Sequence, residues 1–374
     1  MVLPMNICMI TSASFPPEEG VGNYIYNLSK ELIKRGHYVT VITRGGFGKT
    51  VKNNFEGIEV YKTPFIPLYP FHVHIHGLSS NNLFRNVESQ FDIIHYHTPL
   101  PPLVKTKLPI VTTMHSSVKK SVEMDQTPLT VRLQSKLSYN IERNVLKSSK
   151  KITCVSRSIA NELVDYGLNP NSISIIGNGV DETLFRPSGN KRGKPYILFT
   201  GRITYQKGAH DFIECAKMIC SKRDDINFKL AGKGPLADKL KKVVAGSGYS
   251  DRFEFLNHIG HSDKLRLVDV YQNATIFVLP SHYEGLPTTL LEAMACEIPV
   301  IATKINAIAD VIEPGKNGIL VSVRSPDKMA YAISILLDND KIRDRLGKAA
   351  RRTVVDNYTL NKMYTNIIKC YESL

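Results

Sequence analysis

Ser281-His282-Tyr283-Glu284-Gly285-Leu286-Pro287-Thr288-Thr289-Leu290-Leu291-Glu292-Ala293-Met294-Ala295 follows an apolar run from Thr275 to Pro280 and is rich in strong helix formers towards its end. The run reads as a buried parallel strand, the middle as a short loop and the end as a helix. Glu284 falls in the loop, and Glu292 falls about two turns into the helix. Eight residues at 100° each bring the two carboxylates to within about 80° of one another around the axis, and to within ~12 Å along it. Between them lie the first amides of the helix, at Thr288 and Thr289, whose unpaired N–H groups and positive dipole end favour a phosphate. One extended ligand with a sugar at Glu284, a diphosphate at the helix start and a ribose at Glu292 suits that order.

Further blocks lie on either side. Downstream come Pro299-Val300-Ile301-Ala302-Thr303 and Gly315-Lys316-Asn317-Gly318-Ile319-Leu320-Val321. Upstream, the strand Tyr196 to Thr200 runs into Gly201-Arg202-Ile203-Thr204-Tyr205-Gln206-Lys207-Gly208. There an Arg and a Lys five apart in a glycine-bounded loop can hold two sides of a diphosphate, Arg as a fork and Lys as a point charge. The strand Asn227 to Ala231 ends in Gly232-Lys233-Gly234-Pro235, and Arg252 to Leu256 leads to Asn257-His258-Ile259-Gly260.

The first half repeats the alternation of strand and helix. Asn6 to Thr11 is a strand, Ser14 to Asn23 a loop carrying Gly20 and Gly22, Tyr24 to Arg35 a helix stopped by Gly36, and His37 to Thr43 the next strand. Gly20-x-Gly22 lacks the complete dinucleotide pattern, so a Rossmann oxidoreductase is weakly supported. Asp92 to His97 and Pro109 to Met114 are strands ending at His97 and His115, and strand C-terminal ends are where ligands gather in open parallel sheets. Phe71 to His76 places three His at period two. They read as a polar strand or loop edge rather than as a metal site.

Glu284-x7-Glu292, Glu284-Gly285-x-Pro287, Leu291 to Ala295, the Arg202/Lys207 loop and the Asn317-Gly318 block together resemble retaining glycosyltransferases of the GT-B fold, above all glycosyltransferase family 4. The resemblance covers essentially the whole chain. It implies two Rossmann-like domains facing each other across a cleft for donor and acceptor, and transfer of a hexose or N-acetylhexosamine from a nucleotide diphosphate sugar to a hydroxyl with retention of configuration. Glu284 would hold sugar hydroxyls, Glu292 the ribose, and Arg202 and Lys207 the diphosphate. His115 would meet the donor sugar, and His97 would line the acceptor side. Gly20, Gly22, Gly201, Gly232, Lys233, His258, Ile259 and Leu286 would line the nucleotide or its phosphates. No metal and no cofactor is implied beyond the donor itself. A UDP-sugar is favoured, with a lipid-linked saccharide or another glycan as acceptor. A GDP-mannose-dependent mannosyltransferase, a sugar-nucleotide epimerase, a phosphorylase and a non-catalytic nucleotide-sugar-binding protein stay open beside it. Glu19 stands where the family usually has a glycine, and Asn306-Ala307 and Asp310 stand where it has Gly-Gly and Glu.

The chain's 374 residues suit two α/β domains. The boundaries are expected at 1–187 and 188–357, with Ser188 to Lys194 as linker and a last amphipathic helix, 358–374, crossing back to the first domain. Six scattered Cys without a C-x-x-C pair point to free thiols in a reducing cytoplasm. No apolar run approaches a membrane span, and Met1 to Ile10 reads as a first strand rather than as a signal peptide. The net charge of +14 is concentrated: residues 102–160 carry eleven Lys/Arg against three Asp/Glu, while the rest of 1–190 carries nine against eleven. That segment is either a solvated basic helix or a patch facing anionic lipid headgroups or a phosphorylated acceptor, and the lipid reading places a cytoplasmic protein peripherally at the inner membrane face. Nucleic acid is a weaker candidate and is not expected as a partner, because no aromatic-plus-basic recognition motif is present.

Overall fold

The computed structural model describes residues 3–374 except 19, 69–70, 119–128, 190 and 261–262, with backbone alone at 129–133, 135 and 306. The chain forms two compact units, Met1–Gly177 with Leu360–Leu374, and Asn178–Thr359.

The first unit is built on an eight-stranded sheet. Its strands are β1 (Asn6–Ile10), β2 (Tyr38–Arg44), β3 (Val51–Phe55), β4 (Ile58–Thr63), β5 (Ile93–His97), β6 (Ile110–Met114), β7 (Lys151–Cys154) and β8 (Ile173–Ile175), ordered β3-β4-β2-β1-β5-β6-β7-β8. All neighbours are parallel except β3 and β4. The central strands β1, β5 and β6 are buried from Ile7 on, as a parallel sheet covered on both faces requires, and the polar side chains among them are His95, His97, Thr112 and Thr113. The β3–β4 hairpin was not expected. It turns at Glu56 (φ 52°) and Gly57 (φ 90°), the paired positive φ of a type I′ connection. Its outer strand, Val-Lys-Asn-Asn-Phe, is exposed and polar, which blunts the sheet edge and also hides it from an apolar pattern search.

Two helices depart from the expected boundaries. The first runs Gly20–Lys34, so Gly20 and Gly22 lie in its first turn and not in a loop before it. Gly22 is needed there, because a Cβ would come 2.9 Å from the Ser14 carbonyl oxygen. Phe71 to His76 is no strand edge: His72–Val87 is a helix, placing His72 and His76 one turn apart. His76 is fully buried between Ser12 Oγ at 3.0 Å and Ser80 Oγ at 3.4 Å, a satisfied core histidine.

The last helix, Leu360–Glu372, belongs to this unit. Met363, Tyr364, Ile367, Ile368 and Tyr371 recur at helical spacing and enter its core. Arg35 donates to Asn361 Oδ1 at 2.6 Å and lies 4.0 Å over the Tyr364 ring.

The second unit carries β9 (Tyr196–Thr200), β10 (Asn227–Ala231), β11 (Phe253–Leu256), β12 (Ile276–Leu279), β13 (Val300–Thr303) and β14 (Ile319–Val321), all parallel, in the order β11-β10-β9-β12-β13-β14. This is the doubly wound Rossmann order, with its switch point between β9 and β12. In the first unit the switch falls between β1 and β5.

The passage into the second unit comes at Asn178, ten residues before the expected 187/188 boundary. Arg351 holds the segment there by donating to the carbonyls of Glu182 (3.3 Å) and Phe185 (3.2 Å), and Gln272 donates to that of Arg186 (2.8 Å). Ser188 to Lys194 is therefore not a free linker in its described part. Lys191 Nζ donates to the Ala274 carbonyl at 2.6 Å, and the Arg192 amide to Asn273 Oδ1 at 2.6 Å. Towards the end of this unit come two helices, Pro326–Asp338 and Asp340–Asn357, divided where Asn339 caps the second through the Ile342 amide.

Candidate functional site

In the second unit, three strand-end loops lock together through glycines. Gly232 (φ 152°) approaches so closely that a Cβ would lie 1.9 Å from the Gly201 carbonyl oxygen, and at Gly208 (φ 65°) a Cβ would lie 2.0 Å from that of Pro280. Main-chain bonds join the same loops, Ile203 N to Lys233 O at 2.9 Å and His282 N to Gln206 O at 2.8 Å. The loops after β9 and β12 thus meet at the switch point, the crevice where such sheets bind ligands.

Two expected residues pair there. Lys207 Nζ donates to Glu284 Oε2 at 2.6 Å, and Ser281 Oγ donates to Glu284 Oε1 at 2.7 Å. Glu284 is 6% exposed and Lys207 19%. Each carboxylate oxygen has one donor and keeps a second lone pair for a ligand hydroxyl. Arg202 is exposed and makes no side-chain hydrogen bond or ion pair among the described residues. Lys233 and His258 are exposed at the ends of β10 and β11, and Ile259 and Leu286 are buried.

The helix after Glu284 runs Thr288–Ala295 with Pro287 at its N-cap and no side-chain cap. Glu292 therefore sits little more than one turn inside it, less than the two turns expected. Its partner is Tyr271, whose hydroxyl donates to Oε2 at 2.9 Å and also meets Thr200 Oγ1 at 2.6 Å. Burial pushes the Glu292 carboxyl above its usual range, and the Tyr271 hydrogen bond opposes that. Asn178 carries no motif that marks it in the sequence. It is buried and donates through Nδ2 to the Leu286 carbonyl at 2.5 Å, fixing the loop between the two glutamates.

In the first unit, the ends of β5 and β6 bring three imidazoles together. His95 is held by Tyr371 (Nδ1 to hydroxyl, 2.6 Å) and Thr113 (Nε2 to hydroxyl, 2.7 Å). His97 Nδ1 lies 3.4 Å from His115 Nε2 with the rings nearly parallel, and Tyr24 packs edge-on against His115 with centroids 4.6 Å apart. His97 is fully buried rather than open as a cleft-lining residue, and its Nε2 has no partner among the described residues. Burial lowers all three, His95 and His115 to about 3, so they are neutral bases at ordinary pH.

Beyond His115, Ser117 Oγ donates to Glu162 at 2.5 Å, and the Val118 amide and Tyr166 hydroxyl donate to Glu142 Oε2 at 3.3 and 2.5 Å. Residues 119–128 of the basic segment fall outside the described residues, as does Glu19. The basic helix is Leu129–Ser148, with Lys136, Arg143 and Lys147 exposed. The six Cys are free and buried, and no described helix is long and apolar enough to cross a membrane.

Known proteins match this architecture. The family model for "Glycosyltransferase Family 4" matches residues 19–184, and that for "Glycosyl transferases group 1" matches residues 180–353. An uncharacterised glycosyltransferase of Methanocaldococcus jannaschii is 25% identical over 98% of each chain. A subunit of the human phosphatidylinositol N-acetylglucosaminyltransferase is 29% identical over 82% of this chain and 63% of its own. Among solved structures, sucrose-phosphate synthase from Thermosynechococcus elongatus superposes with a TM-score of 0.85 at 20% identity, over 99% of this chain and 98% of that one. The Anabaena protein HepE, in complex with UDP and glucose, gives 0.77 at 15% identity, over 99% and 100%. The two family models run without a gap from residue 19 to residue 353, and the chain belongs to the GT-B glycosyltransferases of family 4.

Proposed function

We propose that the protein transfers a hexose or N-acetylhexosamine from a nucleotide diphosphate sugar, with a UDP-sugar favoured, to a hydroxyl acceptor with retention of configuration. The observation that carries the reading is the Lys207–Glu284 pair at the β9/β12 switch point, with Arg202 of the same loop unpaired among the described residues. Arg202, Lys207 and the uncapped amides of Thr288 and Thr289 meet the diphosphate, so its charge is balanced by the chain without a metal ion. Glu284 takes sugar hydroxyls on its remaining lone pairs, Glu292 the ribose and His115 the transferring sugar. Gly201, Gly232, Lys233, His258, Ile259 and Leu286 line the nucleotide.

As the bond from the anomeric carbon to the diphosphate oxygen breaks, negative charge grows on the phosphate. Groups already aimed at it stabilise that change, each by about 3 kcal/mol as single oxyanion donors do. The acceptor oxygen bonds to the anomeric carbon on the same face, and its proton passes to the departing phosphate oxygen. A carboxylate nucleophile is not invoked: the acid pair of retaining glycosidases sits ~5 Å apart, whereas Glu284 lies in the loop before the helix and Glu292 lies inside it, held by Tyr271.

The name of the human relative, a transferase of N-acetylglucosamine to phosphatidylinositol, supports an N-acetylhexosamine donor and a lipid-linked acceptor. HepE in complex with UDP-glucose supports the uridine preference. An acceptor of that kind and the exposed Lys136, Arg143 and Lys147 favour a peripheral place at an anionic membrane face. NMR of the first product formed from an α-linked donor tests the reaction: an α-glycoside is expected, and a β-glycoside or free phosphorolysis overturns it.

A further inference from the structure

His210, Asp211 and His282 lie together beside the donor loops, and the transfer reaction leaves all three unused. His210 and Asp211 open the helix Ala209–Cys220 directly after Lys207-Gly208, and His282 stands two residues before Glu284. One ligand atom from each lies within 4.8 Å of the others. His282 Nε2 is 2.7 Å from Asp211 Oδ2, and His210 Nε2 is 3.2 Å from Asp211 Oδ1.

The His210 ring is the telling member. Its Nε2 faces the carboxylate without hydrogen-bond geometry, and its Nδ1 is buried with no partner among the described residues. An imidazole with neither nitrogen hydrogen-bonded stands next to a carboxylate that already holds a second imidazole. Tyr205 stacks on His210 with centroids 4.4 Å apart and an 8° interplanar angle, fixing the ring. Of the surrounding charges, Glu214 favours a cation and Arg324 opposes one.

We propose that His210, Asp211 and His282 bind one divalent transition-metal ion, which clips the loop carrying Glu284 to the helix that follows Lys207. Two imidazoles and one carboxylate suit Zn²⁺ and its neighbours, with ligand atoms about 3.3 Å apart when tetrahedral at ~2.0 Å. The 2.7 and 3.2 Å separations run to different oxygens of Asp211, and all three ligand atoms lie within 4.8 Å of one another, so closing on an ion asks each separation to change by no more than ~1.5 Å. His282 and Asp211 are buried and His210 half-buried, so a fourth position faces solvent. The ion would act by holding the two loops in register, outside the reacting atoms, and the proposal stands whichever donor is used.

The test is metal binding by the stripped full-length protein. Competition with a chromophoric chelator should give one equivalent of Zn²⁺, bound far more tightly than Mg²⁺, and Co²⁺ should show the visible absorption of a four-coordinate nitrogen–oxygen site. His210→Ala and His282→Ala should each weaken Zn²⁺ at least about tenfold, while His72→Ala leaves it unchanged. Circular dichroism verifies the fold, and should His282→Ala unfold, His210→Ala at its half-buried position decides. Less than one equivalent, equal affinity in His210→Ala, or loss only in His72→Ala overturns the proposal.

Discussion

Lys207 Nζ and Glu284 Oε2 lie 2.6 Å apart, 77 residues apart in sequence, at the point where the second sheet reverses its winding. Glu284 is the more buried partner, so the two truncations should not be equivalent. Lys207→Ala strands a buried carboxylate and should cost about 2–3 kcal/mol, below the 3–5 of a fully buried pair because Lys207 is partly exposed. Glu284→Gln leaves a lysine that can turn to solvent and should cost less. The double variant should recover part of the Lys207→Ala loss in a urea-unfolding cycle, and strict additivity would show that the pair is not coupled.

Gly232 and Gly20 should respond very differently to alanine. Gly232→Ala drives a Cβ to 1.9 Å from the Gly201 carbonyl at a φ that side chains rarely adopt, and should destabilise by more than about 2 kcal/mol. Gly20→Ala meets nothing within 4 Å in the first turn of a helix, and should change stability by less than about 1 kcal/mol. Chemical denaturation of the two variants compares them directly.

Glu142 should make the first unit less stable as pH rises from about 4.5 to about 7. Burial and neighbouring Glu162 raise its carboxyl to about 7, against hydrogen bonds from Tyr166 and Val118. The folded state therefore holds a proton that the unfolded chain releases near 4.5, and stability from this group falls between those values. Glu142→Gln keeps the acceptor oxygen and should stabilise at pH 8 by up to ~3 kcal/mol, with little gain at pH 5. His95 and His115, lowered to about 3, work in the other sense: the unfolded chain takes up their protons first, so stability falls as pH drops below about 6.5. Urea midpoints of wild type and Glu142→Gln at pH 5 and 8 separate the two effects.

Much of this was legible because buried parallel strands are apolar runs. Asn227–Ala231 and Tyr196–Thr200 match their expected ends, and the glycine-bounded loops after them were readable as ligand loops. What was hidden depends on contacts distant in sequence or on exposure. The edge strand Val51–Phe55 has no apolar pattern, and the alternation of His72, His74 and His76 imitates a strand although the stretch opens a helix. Asp181–Arg186 looks like the end of the first domain until Arg351 is seen holding it in the second unit. Glu284 and Lys207 are each marked by their motifs, but that they bond to one another, that Tyr271 holds Glu292, and that His282 meets Asp211 are facts of the fold alone.

The basic helix makes a membrane test specific. Replacing the exposed Lys136, Arg143 and Lys147 with Glu should abolish flotation with vesicles containing phosphatidylserine at low salt, while wild type floats and is released as salt rises. Equal flotation of both would assign that helix to solvent alone.

The most direct measurement of the central claim is a thermal-shift series with UDP, GDP, ADP and their common sugar conjugates on wild type and on the Arg202→Ala/Lys207→Ala double variant. One nucleotide class at 100 times its dissociation constant should stabilise wild type by about 2.7 kcal/mol and leave the folded variant unmoved. Stabilisation of both proteins alike, or of neither by any nucleotide, would contradict a diphosphate held by Arg202 and Lys207.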